Sequence, residues 1–298
     1  MNSDTSVKSS NVGEVESKSV INAYSEFSIG SLLLRMGKIT AEEADQIMRL
    51  HKEKGLKFGE AAQSLGLISE ADIQQVLSRQ FNYPFLQADQ DTFSTALTAA
   101  YQPFSAQSEK LRAIRSQLML HWFSTNKKLL AFTSASSDEG VSPLLANLAL
   151  VFSQLGKNTL LIDANLRNPS QHKLYNTENR RGLSDVLAGR AGLETIFKID
   201  SFENLSLLTA GTIPPNPQEL VSRSAFPVLL TELEQRYDVI LIDTPPLSEC
   251  LDAQAISYAA GGVVFLSKRN KTKIAELTYA TSQCVDHGIR IVGSVLLD

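Results

Sequence analysis

Six short apolar runs, spaced by helical patterns, fill the chain from about residue 109 onward, and they leave few folds open. They are "KLLAFTS" (128–134), "NTLLIDA" (158–164), "LSLLTA" (205–210), "YDVILIDT" (237–244), "GGVVFLS" (261–267) and "RIVGSVLL" (290–297). Most are near-continuous in apolar residues, the pattern of a strand buried on both faces. Strands of that kind alternating with helices form a parallel sheet covered by helices on either side, so an α/β fold is expected here. The helix after the first run is expected to open at Pro143 and stop at Gly156, with Leu144, Leu148, Val151, Phe152 and Leu155 on one side.

In such a sheet, ligands sit at the carboxyl ends of the strands. Three segments put polar groups there. "AFTSASSDEGVSPLLANLALV" (131–151) has the outline of a phosphate-binding loop, with Ser136, Asp138, Glu139, Gly140 and Ser142 as candidate nucleotide contacts. A working loop of this type carries lysine after its last glycine; here Val141 stands there, followed by Ser142. "LLIDANLRNP" (160–169) ends its strand on Asp163, Asn165 and Arg167, and "VILIDTPP" (239–246) ends on Asp243. A carboxylate after a buried strand, facing a Gly/Ser loop, can hold Mg²⁺ against phosphate, so Ser142, Asp163 and Asp243 are the candidate metal set. Asp163 would orient or activate a nucleophile, and Arg167 with the loop amides would neutralise phosphate.

The front of the chain differs. "SIGSLLLRMGKITAEEADQIMRLHK" (28–52) and "KFGEAAQSLGLISEADIQQVLSRQF" (57–81) align so that Gly30 meets Gly59, Gly37 meets Gly66 and Gln46 meets Gln75. Thr40 and Ser69 coincide too, each followed three residues later by an acid, Glu43 or Asp72, which is a helix-start signature. Two such helix–turn–helix units must pack on each other, so a small helical domain is expected over 23–87. Residues 1–22 are polar and Ser-rich and read as disordered, and 88–108 reads as a linker before a domain at 109–298.

A formal net charge of −4 gives no support for a nucleic-acid binder. Cys250 and Cys284 fit no metal or redox spacing. No apolar run is long enough to cross a bilayer, and the start lacks a secretory core, so a cytosolic protein is expected. Tyr237 and Tyr258, beside strand candidates, read as packing residues.

Taken together, the loop, the Asp163-Asn165-Arg167 segment, the Asp243 strand, "GLSDVLAGR" (182–190) and "TAGTIPPNPQELV" (209–221) resemble the bacterial tyrosine kinases of exopolysaccharide synthesis. These belong to the MinD/ParA-like branch of P-loop NTPase folds. The resemblance covers about residues 105–298. It implies ATP and Mg²⁺ as cofactors and a membrane-embedded chain-length determinant, Wzz-like, as partner, placing the chain at the inner membrane through that partner. Glu109, Arg112 and Arg115 fit the family's E-x-x-R-x-x-R signature, which implies self-association. The helical repeat is similar to the N-terminal domain of type II secretion ATPases, and with it the whole chain resembles EpsG-type kinase-like proteins. Some relatives of that domain bind cyclic di-GMP through an arginine before each glycine. Here Ile29 and Phe58 precede the glycines and Ser28 and Lys57 stand before them, so a docking module is preferred to a dinucleotide sensor.

Several positions depart from the family pattern. Val141 removes a cation, Pro143 has no N–H to offer a phosphate, and Asn165 replaces a second aspartate. Leu297 stands where an asparagine would read adenine, and the seven tyrosines form no C-terminal cluster. Two readings follow: a scaffold with ATP binding and kinase activity weak or lost, or an active ATP-dependent tyrosine kinase with a substitute cation.

Overall fold

The computed structural model describes residues 29–80, 83–86 and 92–298. The expected disordered stretch 1–22 lies outside them. The chain divides between Pro84 and Phe85 into two compact units.

The first unit is four helices: α1 (Ile29–Arg35), α2 (Ala41–Lys54), α3 (Phe58–Ser64) and α4 (Glu70–Gln80). Gly37 and Gly66 sit at φ 65° and 69°, so each repeat turns through the left-handed conformation at the same place. Thr40 and Glu43 form a reciprocal capping box at the start of α2, and Ser69 with Asp72 does the same work before α4. The repeats share one core of Leu33, Ile39, Ala44, Ile47, Ala61, Ala62, Ile68 and Val76. Lys38 of the first repeat pairs with Asp72 of the second at 2.8 Å, and this contact holds the Asp72 carboxyl down at about 2.

The second unit opens with α5 (Thr98–Tyr101) and α6 (Ala106–His121), then runs β1 (Leu129–Ser134), α7 (Val141–Gln154), β2 (Thr159–Asp163), α8 (Gln171–Leu174) and α9 (Leu183–Leu187). It continues through β3 (Phe197–Lys198), β4 (Leu205–Leu208), α10 (Pro217–Ser222), α11 (Ala225–Glu234) and β5 (Val239–Asp243). It closes with α12 (Asp252–Ala260), β6 (Val263–Lys268), α13 (Ile274–Asp286) and β7 (Ile291–Leu297). The sheet order is β3-β4-β2-β5-β1-β6-β7. Every pairing is parallel except β3 with β4. This is a P-loop NTPase-like α/β fold. Residues of the inner strands alternate between two cores: Leu130, Phe132, Leu161 and Leu241 face α6 and α7, while Ala131, Ile162, Ile240 and Ile242 face α10, α11 and α12.

Several expectations need correction. The two-residue β3 carries no strand pattern of its own and was absent from the sequence reading. Helix α7 begins at Val141, which places Pro143 in its first turn rather than at its first residue. It is buried nearly all round, not on one side, because it lies beneath α6 and against the sheet; Leu155 is its C-cap and is exposed. Residues 92–108 are not a linker but part of the second unit. Leu97, Ala99 and Ala100 are fully buried. Asn147 of α7 ties the segment down: its Nδ2 donates to the Ala96 carbonyl and its Oδ1 accepts from the Ala99 N–H, both at 2.9 Å. Tyr258 is exposed rather than packed, whereas Tyr237 does pack against the core.

Candidate active site

Strand β1 feeds a loop, residues 135–140, held from two sides. Ser134 Oγ donates to the Ser136 carbonyl at 2.7 Å, and the N–H groups of Leu247 and Ser248 donate to Ser134 and Ala135. Asp138 and Gly140 take positive φ, 58° and 87°, which turns the chain into the start of α7. The loop borders a cavity of about 450 Å³ whose walls include Asp138–Pro143, Asn165, Ser170, Thr244 and Glu249. A Cβ on Gly140 would lie 3.2 Å from Leu297 Cδ1, so the apolar end of β7 packs against the loop.

Beneath this wall lie the two strand-end acids. Register pairs Asp163 directly with Asp243 across β2 and β5, and both are fully buried. Adjacent parallel strands lie about 4.8 Å apart, so the carboxylates are neighbours by construction of the sheet. Burial raises both acids well above the usual carboxylate range, and for Asp163 the Asp243 charge adds to it. Asp163 Oδ2 accepts from the Ser170 and Gln171 N–H groups, each at 2.9 Å. Asp243 accepts from the Ser142 hydroxyl and from Gln171 Nε2, the latter at 2.7 Å. The same Nε2 donates to the Ser142 carbonyl at 3.1 Å.

Gln171 therefore joins all three members of the expected metal set, a role the sequence reading missed. Its one signal was position, eight residues after Asp163. Two buried oxygens here, Asp243 Oδ1 and Gln171 Oε1, accept no hydrogen bond among the described residues. Orphaned acceptors beside a buried acid pair and a serine hydroxyl suit a hard divalent cation, which takes oxygen ligands. The residues fit Mg²⁺ in donor chemistry, with Ser142 and Asp243 best placed to hold it. Bound there, the cation would supply charge to offset phosphate oxygens.

The other expected site residues divide. Asp138, Glu139, Gly140 and Ser142 line the cavity. Ser136 does not; its hydroxyl donates to Glu276 Oε2 at 2.6 Å. Glu139 is buried and accepts from Thr272 Oγ1 at 2.5 Å. Arg167 is not among the residues lining the cavity; it makes a two-pronged contact with the buried Asp252, at 2.8 and 3.3 Å. The Glu109, Arg112 and Arg115 charges are not simply a free helix face. Arg112 clasps Glu109 and donates to the Pro103 carbonyl, and Arg115 donates to the Val151 carbonyl of α7.

The AAA domain family model matches residues 140–273, from the last residue of the loop through both acids and β6. The putative tyrosine-protein kinase CapB of Staphylococcus aureus is 37% identical over 195 residues, 65% of this chain and 86% of CapB. Tyrosine-protein kinase YwqD of Bacillus subtilis is 35% identical over 198 residues, 66% of this chain and 84% of YwqD. The crystal structure of the chimerical protein CapA2B2 superposes with a TM-score of 0.65 at 32% identity, covering 75% of this chain and 97% of that one. With the loop, the paired acids and the sheet order already in place, these likenesses identify the chain as a member of the bacterial tyrosine-protein kinase family of capsule and exopolysaccharide synthesis.

Proposed function

We propose that this chain serves polysaccharide chain-length control and export chiefly as a kinase-like scaffold, with a pocket that takes Mg·ATP or Mg·ADP weakly and turns it over poorly. The observation that carries this reading is the cavity lining. It includes three carboxylates, Asp138, Glu139 and Glu249, and among the described residues no lysine or arginine. Pro143 in the first turn of α7 adds to it, since that position has no N–H for a phosphate. Loss of one preorganised charge at such a site costs about 100–1000-fold in turnover. The helical first unit and the Glu109/Arg112/Arg115 helix are the proposed docking and self-association surfaces. The proposed partner is a membrane-embedded chain-length determinant, a reading supported by the likeness to tyrosine-protein kinases such as Wzc of Salmonella typhi.

Calorimetric titration of Mg·ATP and Mg·ADP tests the pocket, with the Val141→Lys, Pro143→Thr double variant as comparison. Binding at least about tenfold tighter in the variant is expected; equal affinities would remove the reading. A second reading, phosphoryl transfer with a substitute cation, has one specific observation in its favour. The Lys271 ammonium lies 2.8 Å from the Asp138 carbonyl of the loop.

A further inference from the structure

We propose that Lys271, carried on the turn after β6, is the cation that this pocket offers to nucleotide phosphate in place of the lysine missing at Val141. The inference rests on the reading that the cavity takes Mg·nucleotide. A pocket walled by Asp138, Glu139 and Glu249, with Asp163 and Asp243 beneath it, repels a di- or triphosphate unless positive charge comes from elsewhere. Bound Mg²⁺ would offset part of that charge, and the remainder needs a protein cation.

The nearby cations can be sorted by what already holds them. Arg167 is committed to Asp252. Arg269 faces Asp298 at 3.4 Å and Lys273 pairs with Glu276 at 2.8 Å. Lys271 is exposed and, among the described residues, in no ion pair; the hydrogen bond of its ammonium is to the Asp138 carbonyl. An ammonium has three donors, so two remain for a ligand.

The backbone beneath it is fixed against the loop. Thr272 N donates to the Lys268 carbonyl at 2.9 Å, and Lys268 N donates to Thr272 Oγ1 at 2.7 Å, with Asn270 in the left-handed conformation between them. Thr272 Oγ1 in turn donates to Glu139, and Arg269 N donates to the Leu297 carbonyl at 2.8 Å. The base of the lysine is therefore pinned beside Asp138 and Glu139, and only its four-carbon stem has to swing to carry the ammonium from the loop carbonyl to a phosphate. A cation arriving from an exposed turn loses more side-chain freedom on binding than one set in the loop, which accords with weak rather than absent affinity.

The test compares calorimetric titration of Mg·ADP and Mg·ATP into wild type, Lys271→Gln, Lys268→Gln, Val141→Lys and the Val141→Lys, Lys271→Gln pair. Glutamine keeps a donor for the Asp138 carbonyl and removes the charge, so a merely structural clip would survive it. The expected result is a loss of about 10- to 100-fold in Lys271→Gln, none in Lys268→Gln, and recovery in the Val141→Lys, Lys271→Gln pair. Wild-type affinity in Lys271→Gln overturns the inference and leaves the nucleotide reading standing. A silent wild type with a binding Val141→Lys also overturns it, since the pocket would then be competent but without a substitute cation. Silence in both wild type and Val141→Lys removes the nucleotide reading, and the inference with it.

Discussion

The sheet register holds Asp163 and Asp243 side by side in the interior, and that pairing bears on stability. Their carboxyls are raised by burial, and Asp163 also by its neighbour's charge. The folded chain thus binds more protons than the unfolded chain from about pH 4, the ordinary carboxylate value, up through the raised range. Stability must then fall as pH rises across that window. Asp243→Asn removes one charge while keeping an oxygen for Gln171 Nε2 and Ser142. It is expected to raise the melting temperature at pH 8 by about 2–4 °C or more, with a smaller gain at pH 5. Thermal melts at the two pH values check it; an equal loss at both would show that the pair is not repelling. At this scale the acids were legible, since each ends a buried run in its own sequence. Gln171 and the pairing of Arg167 were not. Their partners, Asp243 and Asp252, stand 72 and 85 residues away, and nothing local encodes such a contact.

Among the elements, the residue that caps the end of α6 and the residue just before β6 make a close approach. Trp122 is buried, donates its Nε1–H to the Leu129 carbonyl at 2.8 Å, and lies so near Gly262 that an added Cβ would fall 2.3 Å from its ring. Gly262→Ala must push the indole off this seat and is expected to destabilise the second unit by about 1–3 kcal/mol. The chain has a single tryptophan, so its fluorescence reports the displacement directly, and denaturant titration reports the energy. An unchanged spectrum with unchanged stability would count against the packing described. The six longer strands were readable because burial on both faces is written into their own composition. The antiparallel β3 was not, being two half-exposed or exposed residues paired through Phe197 and Lys198 to β4. Helix α7 was readable in position but not in burial, since what covers its outer side is α6 and the segment before it.

At the level of the molecule, the decisive misreading was the boundary. Residues 92–108 lack a sustained period because they are held by side chains of α7 and by burial of Leu97, Ala99 and Ala100, with only the one-turn α5 and the first residues of α6 as helix of their own. Cutting the chain at 109, where its composition changes, therefore removes part of the second unit rather than a tether. It strips Asn147 of the Ala96 and Ala99 backbone groups and Gln154 of the Ala99 carbonyl, at 2.9 and 3.1 Å. Each buried polar group left without a partner costs about 1–3 kcal/mol, and loss of the apolar cover over α7 adds to that. Fragment 85–298 is expected to melt cooperatively, close to the transition of the same unit in the full chain. Fragment 109–298 should melt at least about 5 °C lower. Asn147→Ala in the full chain should reproduce part of that loss, because it cuts the same hydrogen bonds without shortening the chain. Calorimetric melts of the three proteins decide the matter: if 109–298 matches 85–298, the boundary belongs at 109 and residues 92–108 are a tether after all.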